Sequence, residues 1–147
     1  MKQVIIATSL ALFAATAQAE VRNYECSVHS IEAQGWIPPR VILSIDPENK
    51  RARAFDGAII SANELAGREE NTPVDARFKS TRKGEYEVSW RITLSSNSTR
   101  QFRVNYTAKL NPETNKLNMR ANFPMDGLAN RPKGDGVCKL VSKPSLY

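Results

Sequence analysis

The segment Glu85-Tyr86-Glu87-Val88-Ser89-Trp90-Arg91-Ile92-Thr93-Leu94 alternates polar and apolar side chains without interruption. Tyr86, Val88, Trp90, Ile92 and Leu94 fall on one side of an extended chain, and Glu85, Glu87, Ser89, Arg91 and Thr93 on the other. Unbroken period-two alternation, rich in aromatic and β-branched residues, marks a strand with one buried and one wet face.

The rhythm continues on both sides of this segment. Phe102, Val104, Tyr106, Ala108 and Leu110 form the next apolar row, and Leu117, Met119, Ala121 and Phe123 the one after it. Short turn sequences separate the rows, so consecutive segments are expected to pair antiparallel. A register that keeps apolar rows together can be checked on the opposite face, because a slip of one residue turns every side chain over. Joining 74–81 to 85–94 through Arg82-Lys83-Gly84 places Thr81 opposite Glu85, Lys79 opposite Glu87 and Asp75 opposite Arg91. Across Asn97-Ser98-Thr99, Trp90 faces Tyr106 and Glu87 faces Lys109. Across Pro112-Glu113-Thr114-Asn115, Leu110 meets Leu117, Ala108 meets Met119, Tyr106 meets Ala121 and Val104 meets Phe123, so that large faces small. Earlier, 41–46 turns at Pro47-Glu48-Asn49-Lys50 into 51–57, with Asp46 opposite Arg51. Opposite charges meet in these registers although only apolar residues chose them.

The outermost segments are 22–31, with Tyr24, Cys26 and Val28 on one face, and 136–142, with Cys138 and Leu140 on one face. Eight segments make the first and last antiparallel, and the two cysteines can then meet across a seam. The fold class expected is all-β: a single up-and-down antiparallel barrel of about eight strands closed by a Cys26–Cys138 disulfide. The alternation breaks between 58 and 73. Ser61-Ala62-Asn63-Glu64 is a capping-box match ahead of Leu65, which predicts a short helix near 61–68; a ninth strand is the competing reading.

Residues 1–19 read as a cleaved export signal, with Lys2, an apolar core and Ala17-Gln18-Ala19 as a small-x-small cleavage site. Residues 20–147 would then form one domain in a periplasmic or secreted setting where disulfides persist. No later run is long and apolar enough for a transmembrane helix. The chain carries a net charge of +6, of which Lys2 takes one away with the leader.

Catalytic chemistry finds little support. The single histidine, His29, lies on the expected outer face of the first strand with no nucleophile motif nearby, and Gly134-Asp135-Gly136 offers only one acid to a metal. The chain is therefore read as a non-enzyme with no metal or cofactor. Two surface features carry the binding expectations. In the 41–57 hairpin Ile42 faces Phe55 outward, just after Gly35-Trp36-Ile37-Pro38-Pro39, so Trp36, Ile37, Ile42 and Phe55 are expected to form a partner-binding patch. The alternative is that 58–68 folds back and covers it with Ile60 and Leu65. On the outer face of two later strands, Arg103, Lys109, Lys116 and Arg120 make a basic stripe suited to an anionic polymer, or simply a solvated face. The aromatics point inward, which argues against nucleic acid as a partner.

Tyr24-Glu25-Cys26, Gly35-Trp36-Ile37-Pro38, Trp90 and the closing Gly134-Asp135-Gly136-Val137-Cys138-Lys139 resemble a group of small exported alphaproteobacterial proteins; the resemblance spans residues 20–147 and implies no activity. The architecture is loosely similar to avidin-like, lipocalin-like and bacterial inhibitor barrels. The Tyr-x-Cys opening and late cysteine also resemble periplasmic lysozyme inhibitors, but the Ser-Gly-x-x-Tyr segment of those proteins is missing. The leading expectation is a non-catalytic periplasmic binding protein that engages an envelope protein, as inhibitor or assembly partner, through the Trp36 loop. A carrier of a small apolar ligand in the barrel interior is the alternative, and an outer-membrane barrel the third reading.

Overall fold

A computed structural model describes residues 20–31, 35–95, 100–124 and 131–147. The segment 1–19, expected to be an export signal, and the expected hairpin tip Asn97-Ser98-Thr99 lie outside the described residues. Eight antiparallel strands form a closed barrel in sequence order: β1 (Arg22–Ser30), β2 (Arg40–Asp46), β3 (Arg51–Asp56), β4 (Val74–Ser80), β5 (Tyr86–Ser95), β6 (Gln101–Leu110), β7 (Lys116–Asn122) and β8 (Lys133–Val141). One helix, α1 (Gly57–Leu65), interrupts the meander between β3 and β4.

The charge-tested registers are present. Lys79 pairs with Glu87, Trp90 with Tyr106, Glu87 with Lys109, Leu110 with Leu117 and Asp46 with Arg51. The β4–β5 register sets Asp75 level with Arg91, but its carboxylate accepts from Arg53 Nε at 2.9 Å, across the β3–β4 pair. Inside, Leu43, Ile45, Val88, Val104, Ala108, Leu110 and Met119 are fully enclosed, and Trp90 stacks on Tyr106 with ring centroids 5.6 Å apart. Bulky and small residues interleave, so the ring is filled largely by its own side chains.

The seam between β1 and β8 brings Cys26 directly opposite Cys138, and their sulfurs are bonded. Beside the disulfide the two strands lie unusually close. A Cβ on Gly136 would overlap the Ser27 carbonyl oxygen, and one on Gly134 would lie 2.9 Å from His29 O. The Gly134-Asp135-Gly136 sequence thus serves seam packing: its glycines face the backbone of β1, where no side chain fits.

The two ends of the barrel differ. One is closed by tight turns at 47–50, 81–85 and 111–115, with Lys50, Gly84 and Asn115 at positive φ as such turns require. Among the described residues, the Trp36 loop and α1 lie at the other end, the long-loop end. The chain after β8 crosses the outer wall of β2 and β3. There Leu146 N donates to Ser44 Oγ, Arg53 Nη1 donates to Leu146 O, both at 2.9 Å, and the Tyr147 ring lies 5.3 Å from each of the Arg51 and Arg53 guanidinium carbons. Ser44 Oγ donates in turn to Asn23 Oδ1 at 2.6 Å. These contacts explain why Asn23, Ser44 and Asp46 are buried although their strands aim them outward.

Candidate functional site

Helix α1 begins where strand β3 ends, and one residue makes the switch. Asp56 is extended, and its Oδ1 accepts from Ile59 N at 2.8 Å, satisfying an otherwise orphaned amide of the first turn. The helix therefore starts at Gly57, four residues before the expected cap; Ser61 instead lies within it and returns its hydroxyl to Gly57 O. Asn63 is buried and its amide Nδ2 donates to Glu70 O and Thr72 O, which ties the returning chain to the helix. Asp56 itself is 3 % exposed, and its Oδ2 has no hydrogen-bond partner among the described residues. Burial pushes its carboxyl up to about 6, despite the amides of Ile59 and Ala58.

The Trp36 loop lies against the same end. Its indole meets Phe123 and Phe102 edge-on, with centroids 4.9 and 5.5 Å apart, and Tyr106 Oη donates to Trp36 O at 2.9 Å. Burial foremost, and then the Asp56 charge, push the Tyr106 phenol far above its ordinary value, so it remains a neutral donor. Pro39 O accepts from Val28 N at 2.9 Å and fixes the far side of the loop to β1. Trp36 and Ile37 thus plug the barrel mouth.

The expected exposed patch therefore divides. Ile37 is 3 % exposed and Trp36 half-buried, because inward-facing Phe102 and Phe123 leave an apolar mouth that the loop fills. Ile42 and Phe55 pair outward on β2 and β3 as expected, but Ile42 is 4 % exposed and Phe55 half-buried; Ile60 of α1 shares a depression of about 200 Å³ with both. Leu65 does not cover them: it faces a different opening. That opening is a groove of about 440 Å³ between the Trp36 loop and α1, lined by Trp36, Pro38, Pro39, Ala58, Ser61, Leu65 and Leu94 among others. Sequence reasoning placed Trp36 at a surface site, but read Ser61 as a helix cap and Leu94 as part of an inward strand row, and gave Ala58 no role.

The basic stripe is broken rather than continuous. Lys109 Nζ lies 3.4 Å from Glu87 Oε2, and Asn118 of β7 donates to Asp135. Lys109 and Lys116 line an open groove of about 890 Å³ over β7, β8 and β1, together with Glu85 and Asp135, so acids and bases mix there. Arg103 stands opposite Thr93, and Arg120 lies between Thr107 and Lys133, farther toward the loop end. Among the described residues, no group of three or more His, Cys, Asp or Glu side chains gathers as a metal site.

No protein-family model matches the chain, and neither the curated proteins nor the solved structures yield a match.

Proposed function

We propose that the protein is a non-catalytic binding protein of the periplasm or extracellular space that takes an apolar segment of a partner protein at the long-loop end of its barrel. The observation that carries this reading is the groove between the Trp36 loop and α1. It is apolar along Pro38, Pro39, Ala58, Leu65 and Leu94, with Ser61 and Ser95 as polar edges, a composition suited to an inserted side chain or short peptide. The disulfide supports an oxidising compartment. The filled interior counts against a carrier using the barrel lumen. An outer wall bearing Arg77, Lys79, Arg91, Arg103, Lys109 and Arg120, with the apolar rows inside, is the reverse of what a lipid-spanning barrel presents.

Ser61 is exposed on α1, so Ser61→Arg places a long charged side chain at the groove without touching the core. The expected outcome is an unchanged melting temperature and at least a tenfold loss of crosslinked partner when intact envelopes are probed. Equal capture of the same partner by Ser61→Arg and by Leu65→Glu would remove the groove as the contact surface.

A further inference from the structure

Across the outer wall the registers assemble a row of cations that no single strand reveals. Arg77 of β4 stands opposite Ser89 of β5, Ser89 opposite Thr107 of β6, Thr107 opposite Arg120 of β7, and Arg120 opposite Lys133 of β8. The neighbouring row toward the loop end holds Arg91 opposite Asn105, and their side chains are hydrogen-bonded at 2.7 Å. The small hydroxyl residues leave a trough: a groove of about 560 Å³ lies over Arg77, Ser89, Arg91, Asn105 and Thr107. Asp75 is the one acid on its rim, and Arg53 holds that carboxylate. Glu87 and Asp135, the nearest acids toward the turn end, lie against Lys109 and Asn118. Among the described residues neither Arg77 nor Arg120 is held in an ion pair.

We propose that this wall, from β4 to β8, binds an extended anionic polysaccharide through the Arg77–Arg120 row, independently of the loop-end groove. Measured around the curved wall, three of the ring's eight strand spacings separate Arg77 from Arg120, about 14 Å, so a ligand that reaches both must follow the curve of the barrel and present several successive anions, more than one phosphate or sulfate offers. At physiological salt the screening length is about 8 Å, so each cation acts on the anion above it and the row acts additively. Ser89, Thr107 and Asn105 between the cations supply the donors and acceptors that sugar hydroxyls use. No aromatic ring is aimed outward in these rows, so the stacking platform that single-stranded nucleic acid needs is missing.

The test is titration of the protein with dextran sulfate, neutral dextran and single-stranded DNA, read by amide NMR shifts and by affinity against salt. The expected result is binding of dextran sulfate alone among the dextrans, with shifts centred on Ser89, Asn105 and Thr107. Affinity should fall at least tenfold in Arg77→Gln/Arg120→Gln, both exposed positions, and by less than twofold in a Lys50→Gln/Arg68→Gln control of equal charge. Equal losses in the two variants would reduce the effect to net charge and overturn the proposal. So would tighter binding of DNA than of dextran sulfate, or shifts centred away from β5 and β6 in the unmodified protein.

Discussion

Replacing Cys26 and Cys138 together by alanine is expected to lower the melting temperature by about 15 °C. The bridge spans 112 residues of sequence, nearly the whole ring, and in the chain-entropy model a loop of that length restrains the unfolded chain by at most about 5 kcal/mol. For a domain of this size each kcal/mol corresponds to about 3 to 4 °C. The barrel should still form at room temperature. The β1–β8 ladder runs from Asn23–Val141 to Ser30–Gly134, eight residue pairs, and does not depend on sulfur for its register. Thermal melts of the double variant, and of the unmodified protein with and without reductant, give the measurement. A shift under 3 °C would mean that the bridge closes nothing the chain does not already hold.

The second large effect is a stability that declines as pH rises. Asp56 has its carboxyl raised from 3.8 to about 6 by burial, so the folded protein holds this proton more tightly than the unfolded chain. Its stabilising contribution is complete below about pH 4 and is lost as pH rises through about 6, a total of about 3 kcal/mol. Between about pH 4.5 and 7 the loss is about 2 kcal/mol, or about 7 °C. Asp46 does not obscure this window: hydrogen bonds from Arg51 and Asn49 hold its carboxyl below the usual range, so its contribution is lost only at more acidic pH. Asp56→Asn keeps an oxygen for the Ile59 amide and removes the charge. The expected result is a melting temperature that falls with pH in the unmodified protein and stays flat in the variant. Parallel pH profiles would show that Asp56 is solvated when ionised.

Much of the barrel was legible because alternation and charge carry independent information. The rows Tyr86 to Leu94 and Phe102 to Leu110 set the inner face, and Glu87 with Lys79 and Lys109 confirmed the registers from outside. Where a strand's second neighbour arrives through a long connection, that second source of information fails. Asp75 was matched to Arg91 within its hairpin, whereas β3, which returns only after α1, supplies Arg53. The helix start was misplaced for a related reason: Asp56 ends an alternating strand and begins a helix at once, so its strand rhythm concealed its role as a cap.

The candidate site was less legible, because loop residues carry no period. Nothing near Trp36 in sequence shows that Phe102, Phe123 and the Tyr106 hydroxyl will receive it; they lie more than sixty residues away. The usable clue was that Phe102 and Phe123 end apolar rows at the long-loop end, where an open mouth needs a lid. The basic stripe was drawn along β6 and β7, but the cation row that emerges runs across the strands, and Arg77 enters it only once β4 takes its place in the ring.

Both proposed binding surfaces lie on the outside of a closed ring filled by its own side chains. Backbone amide hydrogen exchange of β1 and β8, measured strand by strand in the Cys26→Ala/Cys138→Ala variant, tests this most directly. A closed ring has no edge, so both strands should exchange as slowly as β5 and β6, the longest paired ladder of the ring. Fast exchange confined to alternate amides of β1 and β8 would reveal two open edges and contradict the account.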